Sequence, residues 1–247
     1  MRRTPLLSLI RIATVIVLTL PASAQWNTPA IDGSIGTGEY STNNSLQNAG
    51  NTGQTWYTTW DATNLYLAVV NTNLAEGAVV YVGTGGSGST AGNAYDGTNF
   101  SSLPFPAQFV TYFKDGYREY RTSNGGGWSG RTGNYGAYAS NSGNQNTREL
   151  AIPWIALTGG GSPASFVFFG YLTSSGGYVY GEAPSDNPGA FIGTSAIYTQ
   201  YYAVTNTGNG TSAPPFSLEQ PGDFAASDKA GTPSIAIKKE RCRKAPR

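Results

Sequence analysis

Residues 54–82, QTWYTTWDATNLYLAVVNTNLAEGAVVYV, constrain the fold more than any other stretch of the chain. Side chains alternate in character over 55–60 and again over 65–70, the two-residue period of strands with one buried face. Between these runs, Asp61-Ala62-Thr63-Asn64 has the chemistry of a turn. Asp61 can accept hydrogen bonds from the backbone just downstream, and Asn64 tolerates a left-handed conformation. Residues 78–82 are then an unbroken apolar run, the pattern of a strand covered on both faces. The stretch therefore predicts three antiparallel strands joined by two tight connections, a meander against which the remaining chain can pack.

The remainder supplies further strands. Phe109–Lys114 and Tyr117–Thr122 flank Asp115-Gly116, the strongest hairpin signal in the chain. A two-residue loop pairs Lys114 with Tyr117, Tyr112 with Glu119 and Val110 with Arg121, so these six share a face. Phe109, Thr111, Phe113, Arg118, Tyr120 and Thr122 lie on the other, which carries more apolar bulk and is expected toward the core, with Arg118 near an edge. Residues 147–152 read as a strand running into Pro153-Trp154, where proline ends regular pairing or sits on an edge. The apolar run 165–172, SFVFFGYL, is expected to be a central strand, and Gly176-Gly177 turns it into a hairpin with 178–182. Residues 196–204 and 214–218 add two more strands. No stretch shows a sustained helical period. The expected fold is all-β, a two-sheet antiparallel β-sandwich of jelly-roll-like type, built as a single domain from about ten or more strands.

Three regions of unlike charge are hidden in the net +1 of the chain. Residues 1–24 combine a basic start, an apolar run too short to span a bilayer and the small-residue ending Pro21-Ala22-Ser23-Ala24, which predicts a cleaved signal peptide and export. Residues 25–224 carry twelve acidic and five basic residues, −7, so the expected sandwich offers no broad basic footprint for nucleic acid. Residues 225–247 are basic and poor in apolar residues, as expected of a disordered tail. The mature protein is expected to be secreted and extracellular, without a membrane span. One cysteine, Cys242 in the tail, permits no internal disulfide, a pattern compatible with a bacterial source.

Missing residues narrow the chemistry further. With no histidine anywhere and one tail cysteine, the domain cannot build a Ser-His-Asp or Cys-His triad, and it cannot ligate zinc or haem through histidine. Carboxylate chemistry, oxygen-ligand cations and aromatic binding faces remain open. A glycosidase would need two carboxyls across a sugar bond, one raised in pKa by burial. Glu149 and Glu182 are the candidates, with structural duty the preferred reading for Glu149 and no enzymatic activity expected. Asp61, Asp96 and Asp186 could hold calcium, but without a regular Asp-x-Asp-x-Asp-Gly loop turn capping is the preferred role, and no cofactor is expected.

Three motifs resemble the family 9 carbohydrate-binding modules and the wider DOMON-like sandwich superfamily. They are Ile31-Asp32-Gly33-Ser34-Ile35, Trp60-Asp61-Ala62-Thr63-Asn64-Leu65-Tyr66-Leu67 and Arg148-Glu149-Leu150-Ala151-Ile152-Pro153-Trp154. The resemblance implies a two-sheet antiparallel sandwich and, for the sugar-binding members, two tryptophans clamping a terminal sugar. Residues 71–77 here contain no aromatic and no tryptophan follows Trp154, so neither clamp position is matched. An Arg in the family's strand that is similar to Ala107-Gln108-Phe109 is replaced by Val110. The haem ligands of other relatives are missing as well.

A sugar site on this scaffold therefore needs other residues. Trp56 and Trp60 share a strand face and could stack on sugar rings, but large aromatics are usually buried, and core is the preferred reading. Trp128 sits among Gly125, Gly126, Gly127 and Gly130, which favours an exposed ring. The face of Tyr112, Lys114, Tyr117, Glu119 and Arg121 could grip a polar ring compound, with Glu119 and Arg121 bonding vicinal hydroxyls while the tyrosines stack. Its alternative is a solvated strand face with cross-strand charge pairs. The expected ligand-binding set is Trp128, Tyr112, Tyr117, Glu119 and Arg121, and the expected partner a polysaccharide or glycan. The competing expectation is a structural or adhesive surface module that contacts other proteins. Exposed rings clustered around one groove favour sugar, and buried or dispersed rings favour the structural role.

Overall fold

A computed structural model describes residues 27–40, 45–46, 53–97, 102–184, 191–192, 198–205 and 216–219, of which 45–46, 191–192 and 216–219 are described as backbone only. The expected signal peptide, the basic tail with Cys242 and the candidate Asp186 lie outside the described residues.

The described chain forms two antiparallel sheets facing one another. In the first, the order is β1 (Ser45–Leu46), β2 (Thr55–Trp60), β3 (Asn64–Val70), β9 (Thr147–Pro153) and β8 (Ala137–Asn141). In the second, it is β12 (Phe191–Ile192), β11 (Tyr178–Ala183), β10 (Ser165–Ser174), β4 (Gly77–Gly83), β5 (Phe109–Lys114), β6 (Tyr117–Thr122) and β7 (Thr132–Gly133). The first half of β10 also pairs with β13 (Tyr201–Thr205), which pairs in turn with β14 (Phe216–Glu219). One helical turn, α1 (Trp154–Thr158), follows Pro153 and ends on Gly159 at φ 73°. It is too short to leave a helical period in the sequence. Among the described residues no helix is long and apolar enough to cross a membrane.

The alternation read from the sequence sets the inner faces. Trp56, Trp60, Leu65, Leu67, Val69, Leu150 and Ile152 meet Val80, Val82, Phe109, Phe113, Phe166, Phe168 and Leu172 in one continuous core. Trp56 and Trp60 are core residues, and both indoles are satisfied by packing or backbone: Trp56 Nε1 donates to the Gly181 carbonyl at 2.7 Å, and Trp60 meets Phe166 edge-on at 5.5 Å. The β5–β6 register is the expected one, with Lys114 opposite Tyr117, Tyr112 opposite Glu119 and Val110 opposite Arg121. Arg118 reaches the edge as expected, its Nε donating to the Tyr135 carbonyl at 2.6 Å.

One expectation from residues 54–82 is corrected. β2 and β3 pair, but β4 leaves them for the opposite sheet, where it lies between β10 and β5. The cause is Arg148 on β9, fully buried, whose guanidinium donates to carbonyls of the crossing segment and so holds the chain across the sandwich. Strand β8 was not anticipated either, because its sequence, AYASN, has no apolar alternation to announce it.

At the β5–β6 turn, Gly116 has φ 68° and open space around its Cα. A Gly116→Ala variant therefore meets only backbone strain, and chemical denaturation is expected to show a loss of about 1 kcal/mol with the hairpin register kept.

Candidate functional site

The site rests on a frame that ties the three sequence motifs together. Asp61 accepts from the Thr63 and Asn64 amides at 2.6 and 2.7 Å and from the Tyr66 hydroxyl at 2.6 Å. Burial works to raise its pKa, but the Tyr66 hydroxyl and the two amides outweigh burial and hold it below the usual carboxylate range. The carbonyl of the same residue receives Trp154 Nε1 at 2.8 Å. Glu149 accepts from the amides of Asp32, Gly33 and Ser34 at 3.1, 2.7 and 3.2 Å and from the Tyr40 hydroxyl at 2.9 Å. Burial raises its pKa against these bonds. Glu149 and Asp61 thus clamp turns, and the Ile31–Ile35 motif exists as a turn because Glu149 supplies the acceptor its amides need.

Sheet-two strands β4, β5 and β10 turn their other side toward a second apolar cluster. Val79, Tyr81, Val110, Tyr112, Val167, Phe169 and Tyr171 are roofed by Tyr95, Leu103, Phe105 and Ala107 from the β4–β5 connection. This roof changes the environment of the expected binding face. Tyr112 and Glu119 are each only 5% exposed. Tyr95 stacks on Tyr112 with ring centroids 4.8 Å apart, and the Tyr112 hydroxyl donates to Asp96 Oδ2 at 2.8 Å. The expectation of an open face holding both tyrosines is corrected on this point. The far half of the glycine-rich connection carries enough aromatic mass to fold back over the strands, a gain of buried apolar area that composition near its start obscured.

Glu119 is already engaged. The Tyr117 hydroxyl donates to one carboxylate oxygen, and Arg121 Nε lies 3.3 Å from the other. The Tyr117 phenol is pushed above its ordinary pKa, first by that hydrogen bond and then by burial. Tyr112, Tyr117, Glu119 and Arg121 are therefore brought together as one network. The network supports the outer edge of β5–β6 rather than presenting Glu119 to a ligand.

Trp128 lies next to this network, in the loop after β6. Its indole Nε1 donates to the Ala91 carbonyl at 2.9 Å, and its ring meets Tyr81 edge-on with centroids 5.7 Å apart. The residue is half-buried, one part packed on the second cluster. It borders an open depression of about 430 Å³ lined also by Thr122, Ser123, Asn124, Gly127 and Ser129. Arg121 Nη1 donates to the Ser129 carbonyl at 3.0 Å, which joins the network to this depression. The sequence signalled Trp128 through its glycines. Asn124 and Ser129, in the same loop, carried no comparable signal, because small polar residues among glycines read as ordinary loop.

Among the described residues no group of three or more His, Cys, Asp or Glu side chains converges to hold a metal ion. Glu182 is fully buried on β11, and neither carboxylate oxygen has a hydrogen-bond partner. Burial pushes its pKa up to about 7. Comparisons with protein-family models, with curated proteins and with solved structures found no match to this chain.

Proposed function

We propose that the chain is a secreted, non-catalytic β-sandwich module that binds carbohydrate weakly through the Trp128 depression. The observation that carries this reading is the fixed indole. Nε1 is held by Ala91 and one ring edge by Tyr81, so the ring is oriented before any ligand arrives, at the wall of a depression lined by hydroxyl and amide groups. Sugars present apolar C–H faces beside rings of hydroxyls, and a preoriented aromatic with neutral hydrogen-bonding neighbours suits both. The resemblance of the three motifs to family 9 carbohydrate-binding modules supports the same reading. Tyr112 and Glu119 belong to the support of this site, and Tyr117 and Arg121 to its margin.

Pull-down with a panel of insoluble polysaccharides tests the proposal. The wild-type chain is expected to be retained by at least one of them, and Trp128→Ala to weaken that retention by roughly tenfold, about 1.4 kcal/mol, with the fold kept. Retention by none of them sinks the proposal. The burial of Tyr112 and Glu119 is the observation that favours the second reading, a structural or adhesive module, and that second reading takes over if no polysaccharide is retained.

A further inference from the structure

We infer that Asn124 is a site of spontaneous covalent change: the Gly125 backbone nitrogen displaces ammonia from its side-chain amide, and the resulting succinimide opens to aspartate or isoaspartate beside Trp128. The modification is independent of glycan binding, whereas its effect on the site rests on the proposed function. Among the described residues Asn124 is the one asparagine followed by glycine. Both residues are exposed, in the loop after β6. Gly125 stands at φ 100° and has no Cβ to hinder the turn of its nitrogen toward the Asn124 side chain.

The loop's own hydrogen bonds suit both partners of the reaction. The Gly125 amide donates to Ser123 Oγ at 3.2 Å, which draws the proton away from the nitrogen that must attack. The Gly126 amide donates to Asn124 Oδ1 at 3.4 Å, the oxygen that gathers negative charge as that nitrogen adds. Asn64, Asn71 and Asn144 differ: their Nδ2 groups are held by the Tyr66 hydroxyl, the Gly53 carbonyl and the Ser34 hydroxyl, and each precedes a residue with a side chain. In the reaction the bond from Gly125 N to Asn124 Cγ forms, the Cγ–Nδ2 bond breaks, and Nδ2 leaves as ammonia with the proton Gly125 gives up. Water then cleaves either imide C–N bond, with no oxidant or reductant needed. Asn124 lines the depression together with uncharged residues, so either product puts a carboxylate there. Isoaspartate also lengthens the main chain by one carbon just ahead of Trp128, whose ring Ala91 and Tyr81 orient.

Peptide mapping by mass spectrometry tests this on the full chain aged at pH 6 and pH 8, in buffer and in urea. Asn124 is expected to convert ahead of every other described asparagine, faster at pH 8 because the attacking nitrogen must lose its proton. An exposed loop opens at almost no cost, so the native rate is expected within about threefold of the rate in urea. A native rate more than about tenfold below the urea rate, or earlier conversion of another described asparagine, overturns the inference and leaves glycan binding standing. Polysaccharide pull-down then compares aged with fresh protein. Retention of the wild type is expected to fall in proportion to the fraction converted, whereas aged Asn124→Gln keeps the level of its own fresh sample. Full conversion with retention undiminished overturns the effect on the site. Failure of the fresh wild type to be retained overturns the glycan reading and leaves the modification to be judged by mapping alone.

Discussion

Replacing Arg148 by methionine is expected to destabilise the fold by about 3–5 kcal/mol, since several buried acceptors lose a charged donor and each left unsatisfied costs roughly 1–3 kcal/mol. The side chain is fully buried between the sheets. Its Nη1 donates to the carbonyls of Glu76 and Phe113 at 2.7 and 3.2 Å, Nη2 to the Asn73 carbonyl at 2.6 Å, and Nε to Thr72 Oγ1 at 3.1 Å. Methionine matches much of the volume but leaves these acceptors, several of them buried, without a donor. Lysine at this position is also expected to fail, since a single ammonium cannot span acceptors arranged around a planar fork. The measurement is urea denaturation of the wild type, Arg148→Met and Arg148→Lys. A loss below about 1 kcal/mol for methionine would falsify the role of Arg148 as the tie between the sheets.

Stability is also expected to depend on pH through Glu182. Its carboxyl is neutral in the folded chain up to about pH 7, whereas in the unfolded chain it ionises near 4.5. Between these values the folded state holds one more proton than the unfolded state, so stability falls as pH rises through the window and levels off above it. Glu182→Gln keeps the shape without the charge. It is expected to stabilise the domain by about 3 kcal/mol at pH 8, at roughly 1.4 kcal/mol for each decade of displaced ionisation, and to have little effect at pH 4. Comparing the variant with wild type at each pH cancels the contribution of Glu149, which burial shifts in the same direction. Equal melting temperatures at pH 8 would show that Glu182 meets water or a cation in the native state.

The strands and their faces were legible because they depend on period two and on turn chemistry, both local. The Asp115-Gly116 turn dictated the β5–β6 register, and the apolar run 165–172 marked β10 as central. What stayed hidden depends on distant contacts. Crossing of β4 to the second sheet is held by Arg148, more than seventy positions from the Asn73 and Glu76 carbonyls it binds. Roofing of Tyr112 comes from Tyr95, Leu103 and Phe105, which lie in a connection whose glycines suggested an open loop. Residues that a motif marks for the fold, such as Glu149 and Trp154, turned out to hold the turns of the other two motifs.

Tryptophan fluorescence of the full chain, titrated with soluble polysaccharide, is the most direct test of carbohydrate binding. Trp56, Trp60 and Trp154 are buried at 2%, 0% and 1% exposure, so a ligand at the surface reports through Trp128 among the described tryptophans. The expected result is a saturable change in emission that disappears in Trp128→Ala while the fold is kept. No change with any polysaccharide, or a change that persists undiminished in Trp128→Ala, would contradict a sugar site at this ring.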